Sequence, residues 1–472
     1  MNYTFDKFGG INTGVDSSLI GQDAVMIENA TVRSGAIEPV RGPVKMDYSY
    51  VQGLNSLMSY YRYGQHEIMC SGTGTVSNAI WEWRNFGWQY IATNLINIGK
   101  FGWVNTNIDG KDLFIFSNGI DPVMKYDGSK TTELKMLGKD SDYNNSGNRA
   151  PKGRHLVMHY DRLWIADDYD VYCSSVTANG GIDIEDFTTP TEPESEVNQH
   201  GAHISMYTED GTRIVGMKAV FDDILIFKEK KIFKLYGTGP DNLQKIELFN
   251  ATGAIAPRSI VSTPHGAFYI NNDGIYMYNG SNVTKISNKI QKTWDSLFWR
   301  NSDIMLSMSV GIFHDNRYIV FVRGSSTSLV HTTVFEFDIL TGEFTTRNLP
   351  YAVSDAINFR DKVIFACPAD GYMYEYDAGE IVPFTWESGS LVSPNATIEV
   401  DNIKLNTTGT GKVEISASNE KRTKKKIIDI TKDGLKVKSF SINGSQVKFK
   451  IKLLEGNLTI RKFDIEYELD EI

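Results

Sequence analysis

A short unit of two strands recurs about every 40 residues in this chain, and the recurrence constrains the fold more than any other feature. Each copy has a polar turn, an alternating apolar strand, a turn of Gly, Asn or Asp, and an aromatic strand. Two copies read AVFDDILIFKEKKIFKLYGTG (residues 219–239) and INFRDKVIFACPADGYMYEYDAG (residues 357–379). A period of about 40 to 50 residues with several strands per unit is typical of a β-propeller.

The repeats occupy residues 51–385, which we predict to be the propeller. Counting them gives about seven blades, with an uncertainty of one because the third copy is irregular. The units are predicted to begin near Leu54, Trp103, His155, Ile214, Ser259, Ser307 and Val353. Residues 140–152 and 177–203 are polar and predict long surface loops. Residues 286–299 predict a short connecting helix, because their apolar side chains recur at helical spacing.

The two ends of the chain do not follow the repeat. Residues 1–50 are rich in glycine and carry apolar residues only in twos and threes, so they predict an extended arm without a core of its own. Such an arm would dock on the rest of the chain or on a neighbouring subunit. Residues 386–472 contain six alternating strand patterns with charged residues at every second position, which predict a C-terminal β-sandwich. The fold class predicted for the whole chain is therefore all-β.

Composition narrows the function classes. The formal net charge is −10, and residues 388–472 carry +3, which leaves −13 for the preceding part. Such an acidic body argues against a protein that grips nucleic acid, because phosphate neutralisation requires clustered Lys and Arg. The three cysteines, Cys70, Cys173 and Cys367, are far apart in apolar strands and are predicted to be buried free thiols. We expect neither a signal peptide nor a membrane span, because no suitable apolar run is present.

The sequence shows no catalytic constellation, so we predict no catalytic residue, no cofactor and no metal site. Phosphate-loop, zinc-protease and nucleophile-elbow motifs are missing. His155 and His159 are four residues apart on a predicted strand, where that spacing does not make a metal site. One acidic residue recurs in the repeats, and we expect it to start the following strand by accepting backbone hydrogen bonds. These residues are Asp109, Asp161, Asp222, Asp273, Asp315 and Asp361.

Two surface features have a functional and a structural interpretation. Trp81, Trp83 and Trp88 could stack on sugar rings, but three tryptophans in one blade more often pack within it. The basic run KRTKKK (residues 421–426) could contact an anionic partner, but it reads first as a solvated hairpin tip.

Three segments resemble parts of one family. The opening reads F-x-x-F-G-G-I-N-T-G (residues 5–14), followed by D-A-x-x-I-E-N-A-x-V-R-S-G-A-I-E-P-V-R-G (residues 23–42). Further on come CSSVTANGGIDIEDFTT (residues 173–189) and VPFTWESG (residues 382–389). In this order the segments resemble propeller-type tail proteins of tailed bacteriophages, and most closely the tail nozzle and packaged-DNA-stabilising proteins of short-tailed phages.

The resemblance implies a virion structural protein rather than an enzyme. It implies a homo-oligomeric ring, often a hexamer, below the portal and adaptor. The expected partners are itself, portal, adaptor and other tail proteins, and double-stranded DNA that passes without specific binding. The implied localisation is the virion tail, with the host cytoplasm during assembly. Two alternatives remain: a carbohydrate- or receptor-binding propeller, and a propeller glycoside hydrolase with two inward carboxylates near the axis.

Overall fold

The computed structural model describes residues 1–73, 77–96, 99–135, 150–177, 179–187, 200–248, 252–298, 306–323 and 332–471. Most of the two long loops predicted at 140–152 and 177–203 lies outside these residues. The described part is almost entirely β-structure, which confirms the predicted fold class. None of the described residues forms a helix with the length and apolarity that a membrane crossing would require.

The arm contains short strands. They are β1 (Asn2–Phe5), β2 (Ala24–Glu28), β3 (Ala30–Arg33), β4 (Ala36–Pro39) and β5 (Val44–Lys45). Each has two to five residues, too few to be stable alone. Strands β1, β2, β4 and β5 pair with strands far along the chain, and β3 pairs with β4 of the arm itself.

Seven antiparallel units follow the arm. The first four comprise β6 (Ser56–Arg62), β7 (Gln65–Thr73), β8 (Asn78–Arg84) and β9 (Gly87–Leu95); β10 (Gly102–Ile108), β11 (Lys111–Ser117), β12 (Met124–Tyr126) and β13 (Thr131–Glu133); β14 (His155–His159), β15 (Arg162–Asp167), β16 (Asp170–Cys173) and β17 (Ala202–Ser205); β18 (Ile214–Val220), β19 (Asp223–Lys228), β20 (Ile232–Tyr236) and β21 (Gln244–Glu247). The fifth comprises β22 (Val261–Thr263), β23 (Gly266–Asn271), β24 (Gly274–Tyr278) and β25 (Val283–Lys285), and helix α1 (Gln291–Phe298) follows it. The last two comprise β26 (Val310–His314), β27 (Arg317–Arg323), β28 (Thr332–Asp338) and β29 (Phe344–Leu349); then β30 (Asp355–Phe359), β31 (Lys362–Cys367) and β32 (Tyr372–Glu375).

The first strand of each unit lies beside the first strand of the next, so that β6, β10, β14, β18, β22, β26 and β30 surround one axis. Six of the units are separate four-stranded sheets, and β26–β29 is continuous with a larger curled sheet. The last unit obtains its fourth strand from the arm, because β32 pairs with β5. This pairing joins the two ends of the propeller and leaves fewer exposed strand edges.

The C-terminal part contains β33 (Thr385–Val392), β34 (Ala396–Ser418), β35 (Thr423–Ile430), β36 (Gly434–Gly444) and β37 (Gln446–Glu471). Four of the six strands predicted from alternation are merged here into the two long strands β34 and β37. The first half of β34 pairs with β36 and its second half with β35, so both long strands contribute to two layers. Apolar side chains between these layers form one buried cluster with the arm.

The arm docks on its own chain. Strand β1 pairs with β37, and β2 pairs with β33. Phe5 and Phe8 are buried against Trp386. Gly10 passes so close to the sixth unit (β26–β29, called blade six below) that a Cβ there would lie 2.8 Å from the amide nitrogen of Phe344. The arm is therefore part of the core between the propeller and the C-terminal layers.

Candidate functional site

The propeller axis encloses a cavity of about 470 Å³. Its wall comes from the inner strands β10, β14, β18, β22, β26 and β30 and from the segments that lead into them. Strands β10 and β14 approach closely, since a Cβ on Gly102 would lie 1.8 Å from the carbonyl oxygen of Arg154. The cavity is the size of a small-molecule site and could hold about 15 waters at roughly 30 Å³ each.

One ion pair joins three blades beside this cavity. Arg258, just before β22, donates from Nη2 to both carboxylate oxygens of Asp355 at 2.7 Å and from Nε at 3.0 Å. The buried Asp355 also accepts from Ser56 Oγ at 3.0 Å and from the amide N–H of Leu57 at 2.9 Å. Burial by itself would raise the pKa of Asp355, but Arg258 and then Lys100 outweigh it and hold this pKa below its usual range.

Lys100 adds a second link near the same carboxylate. Its Nζ donates to the carbonyl oxygens of Asn55, at 2.5 Å, and of Ser354. These carbonyls immediately precede β6 and β30, so the lysine connects the first and last blades. The interactions of Lys100, Arg258 and Asp355 therefore help to close the ring.

Three further nitrogen groups line the cavity: Arg154, His155 and Lys218. Arg154 donates from Nε to the carbonyl oxygen of Asn118 at 3.1 Å. Burial lowers the pKa of His155 to about 3, with a further contribution from Arg154 and Lys218, so its imidazole is neutral at physiological pH. Burial, followed by repulsion from Arg258, lowers the pKa of Lys218 to about 8.

Charge in the cavity is therefore one-sided. Its described lining residues include four cationic side chains, Lys100, Arg154, Lys218 and Arg258, and no carboxylate. Asp355 stands next to the lining and is occupied by Arg258. Such a surface attracts anions, and it supplies neither a pair of inward carboxylates nor a metal site. No group of metal-ligating side chains occurs elsewhere among the described residues either.

A second buried network lies where the arm, blade six and the C-terminal layers meet. Glu336 accepts from Arg317 Nη1 at 2.9 Å and from the Tyr376 hydroxyl at 2.7 Å, and it forms an ion pair with Arg347 Nε at 2.6 Å. Burial opposes the charge of Glu336, but Arg347 and Arg317 hold its pKa below the usual range. Anions and cations are balanced at this junction, so we assign it a structural role.

The recurring aspartates are turn residues, but not for the predicted reason. Asp109, Asp161, Asp315 and Asp361 occupy the tight turn after an inner strand with φ of 52°, 57°, 50° and 60°. This left-handed conformation suits Asp, Asn and Gly, and it explains the recurrence. Among the described residues, no backbone N–H donates to Asp109, Asp161 or Asp361. The prediction that these aspartates start the next strand by accepting backbone hydrogen bonds is therefore wrong for them.

The other two aspartates differ from this group. Asp222 follows Phe221, which has the positive φ of 55°. Asp273 lies in the turn between the second and third strands of its blade and accepts from the Tyr276 hydroxyl at 2.8 Å. Asp273 is therefore not at the equivalent repeat position that the sequence suggested.

The two histidines lie apart along β14. His155 lines the cavity, whereas Nε2 of His159 lies 3.1 Å from the carbonyl oxygen of Asp222. Strand β14 thus places the two imidazoles in different surroundings.

Aromatic and sulfur side chains have the structural roles that the sequence favoured. Trp81 is buried, and Trp83 packs edge-on against Trp88 at 5.0 Å between ring centroids. Trp88 also donates to the carbonyl oxygen of Ser49 at 2.8 Å. All three cysteines are free and buried, as predicted.

The basic run at 421–426 forms a hairpin tip and the start of β35, as its structural interpretation required. Lys425 is exposed and lies 3.0 Å from Glu414 in an ion pair across the strands. Lysines on a strand at the border of a sheet discourage pairing with another chain.

The sequence analysis did not single out any of the four cationic side chains of the cavity. It named only their neutral neighbour His155. Lys218 stands in the apolar strand IVGMKAV, and a lysine flanked by apolar residues at the start of a repeat unit was the available signal. Arg258 and Asp355 gave no comparable signal, because their pairing spans 97 residues of sequence.

Comparison of the sequence with protein-family models and with curated proteins finds no match. Among solved structures, the chain is similar to BamB from Moraxella catarrhalis with 8% identity and a TM-score of 0.42, over 72% of this chain and 97% of that one. It is also similar to the dihydro-heme d1 dehydrogenase NirN, with 10% identity and a TM-score of 0.40, over 87% and 80%. A third similar structure is the extracellular domain of a putative hybrid two-component system, BT4673 from B. thetaiotaomicron, with 8% identity and a TM-score of 0.40. That match covers 73% of this chain and spans 40% of the other.

Proposed function

We propose that this protein is a non-catalytic structural subunit of a bacteriophage tail. In this proposal it forms a homo-oligomeric ring, a hexamer by the family resemblance, that continues the DNA channel below the portal and adaptor. The ring would help to retain and release packaged DNA, and its location would be the virion tail.

The observation that carries the proposal is the meeting of the two terminal segments that resemble tail proteins. Phe5 and Phe8 of the opening motif contact Trp386 of the VPFTWESG motif, with ring centroids 5.0 and 5.3 Å apart. The backbone pairing of β2 with β33 and a 2.8 Å contact between the Ser17 and Ser390 hydroxyls extend this joint. The short motifs thus have one physical purpose, which is to lock the arm between propeller and C-terminal layers.

Glycine placement in the opening motif supports the same interpretation. The Gly9–Gly10 pair passes between the arm and blade six, where a Cβ on Gly9 would lie 2.0 Å from an Asp23 carboxylate oxygen. Gly10 also donates its amide N–H to Glu343 at 2.7 Å. A family that shares the joint would need small residues here, because no side chain fits.

The cavity also constrains how a tail subunit could conduct DNA. A double helix, whose major groove alone is about 12 Å wide, does not fit a space for about 15 waters. In the proposed ring the DNA therefore runs through a lumen between several copies, not through one propeller. The negative charge of the chain suits such a lumen, because like charge keeps DNA from adhering.

Negative-stain electron microscopy of the purified protein, alone and with a portal complex, tests the proposal. We expect closed rings with a central opening wider than a duplex, coaxial with the portal. Light scattering after size exclusion should give a matching integer mass ratio. A protein that remains monomeric and does not associate with the portal at any ratio would refute the tail-ring role.

A further inference from the structure

The inner cavity holds more positive charge than its surroundings neutralise. Of its four cationic side chains, Arg258 is paired with Asp355, and Lys100 is held by backbone carbonyls. Arg154 uses Nε on the carbonyl of Asn118. Lys218 makes no hydrogen bond or ion pair with any residue that the structure describes.

An unpaired ammonium in a partly enclosed space costs stability, because it loses hydration without gaining a partner. Lys218 is on the inner strand β18, next to the buried Met217. The charged group that acts most on Lys218 is the cation Arg258. A protein that needed this position only for packing would be more stable with an apolar side chain there. A charged side chain that lowers the stability of the fold is typical of binding sites.

The walls of the cavity also suit an organic ligand. Trp103 on β10 and Phe313 on β26 line it and are half-buried, so each presents part of its ring to the space. The neutral His155 adds a hydrogen-bonding group beside Lys218. Apolar walls with a few convergent polar groups are the usual composition of small-molecule sites.

We propose that the central cavity binds a small organic anion bearing a carboxylate or phosphate group, with Lys218 and Arg154 as the groups that contact its charge. Asp167 lies within electrostatic range of Arg154, and burial and then Asp168 raise the pKa of Asp167. The inference does not depend on the tail-ring role, since each copy of the chain carries its own cavity.

Binding should depend on pH in one direction. The groups around Lys218 are His155 on β14, Arg154 before it, and Arg258 before β22. His155 stays neutral above pH 5 or so, whereas Lys218 loses its charge near pH 8. For glucuronate, whose charge is constant, we expect an affinity about tenfold lower at pH 9 than at pH 7.

Isothermal titration calorimetry on the full chain tests the proposal, with citrate, glucuronate, glucose 6-phosphate and inorganic phosphate as probes and glucose as the neutral control. We expect at least one anion to bind with a Kd below about 1 mM and glucose not to bind. Preference for glucuronate over glucose 6-phosphate would identify a carboxylate ligand, and the reverse a phosphate ligand.

Variants locate the binding in the cavity. Lys218→Met should weaken the affinity at least tenfold, and Lys218→Arg should retain most of it. Lys230→Met, on an exposed turn of the same blade, is the matched control and should leave it unchanged. The proposal is overturned if no probe binds, if glucose binds as tightly as the anions, or if both methionine variants behave like the original protein.

Discussion

Charged side chains inside this protein are of two kinds, because Asp355 and Glu336 are buried whereas Lys218 is half-buried in the cavity wall. Asp355 and Glu336 are each surrounded by arginines and hydroxyl or amide donors, so their ionised forms are satisfied. Lys218 has no such compensation. The first kind stabilises the assembly of blades once formed, while the second weakens the fold at its centre.

Replacing Lys218 by Met should therefore stabilise the free protein. Since the pKa of Lys218 is lowered to about 8 in the folded state, the unfolded chain binds more protons between about pH 8 and pH 10.5, and stability rises with pH across that window. Below it, at pH 7, the charge is a full cost, and we expect Lys218→Met to raise the free energy of unfolding by about 1–3 kcal/mol. Urea unfolding at pH 7 and pH 10 measures this.

The gain from Lys218→Met should shrink at pH 10, and Lys230→Met should show no gain at either pH. An equal gain at both pH values would mean that packing, not charge, governs the position.

Turn geometry and hydrogen bonding predict different results for Asp361. At φ 60°, alanine has an unfavourable backbone conformation, whereas glycine does not. Asp361→Ala should lower the free energy of unfolding by about 1 kcal/mol, and Asp361→Gly by less than about 0.5 kcal/mol. Chemical denaturation of both variants decides the matter: equal losses would restore the hydrogen-bond explanation that the sequence first suggested.

Strands of the repeats were predictable because their signals are local. The predicted unit starts lie within three residues of the observed inner strands, since alternation and turn residues mark each one. The merging of predicted strands into β34 was not predictable. Strand β34 continues through Gly409 and Gly411, with φ of 97° at Gly409, and passes between two layers. Four of the five strands of the arm likewise pair with partners hundreds of residues away, and β3 pairs with β4.

The arm should behave as core, not as a detachable tether. Phe8 is 2% exposed and packs on Trp386 at 5.3 Å, whereas Leu19, also in the arm, is 75% exposed. We expect Phe8→Ala to lower the free energy of unfolding by about 3–5 kcal/mol and Leu19→Ala by less than about 0.5 kcal/mol. Thermal unfolding of the two variants measures the contrast. Similar midpoints would show that the joint contributes little.

For the whole molecule, local sequence patterns predicted the propeller but did not predict the charged cavity at its axis. The blades follow from periodicity, but the cationic side chains of the cavity come from residues as far apart in sequence as Lys100 and Arg258. Proximity of that kind is created only when the ring closes. The sequence therefore indicated an acidic protein without revealing that its axis is basic.

This distribution of charge makes a final prediction about DNA. The basic axis is too narrow for a duplex, and the other basic feature, the hairpin tip at 421–426, is on the surface with Lys425 paired to Glu414. With −13 on residues 1–387, phosphate approach elsewhere is unfavourable, and salt screens charges beyond about 8 Å at physiological strength. We expect no measurable duplex binding by fluorescence anisotropy at 0.15 M salt.

Replacing Lys424, Lys425 and Lys426 by Glu should not change that result. Sub-micromolar binding that weakens steeply with salt and disappears in the triple variant would contradict a ring through which DNA slides, because it would make the hairpin a DNA contact.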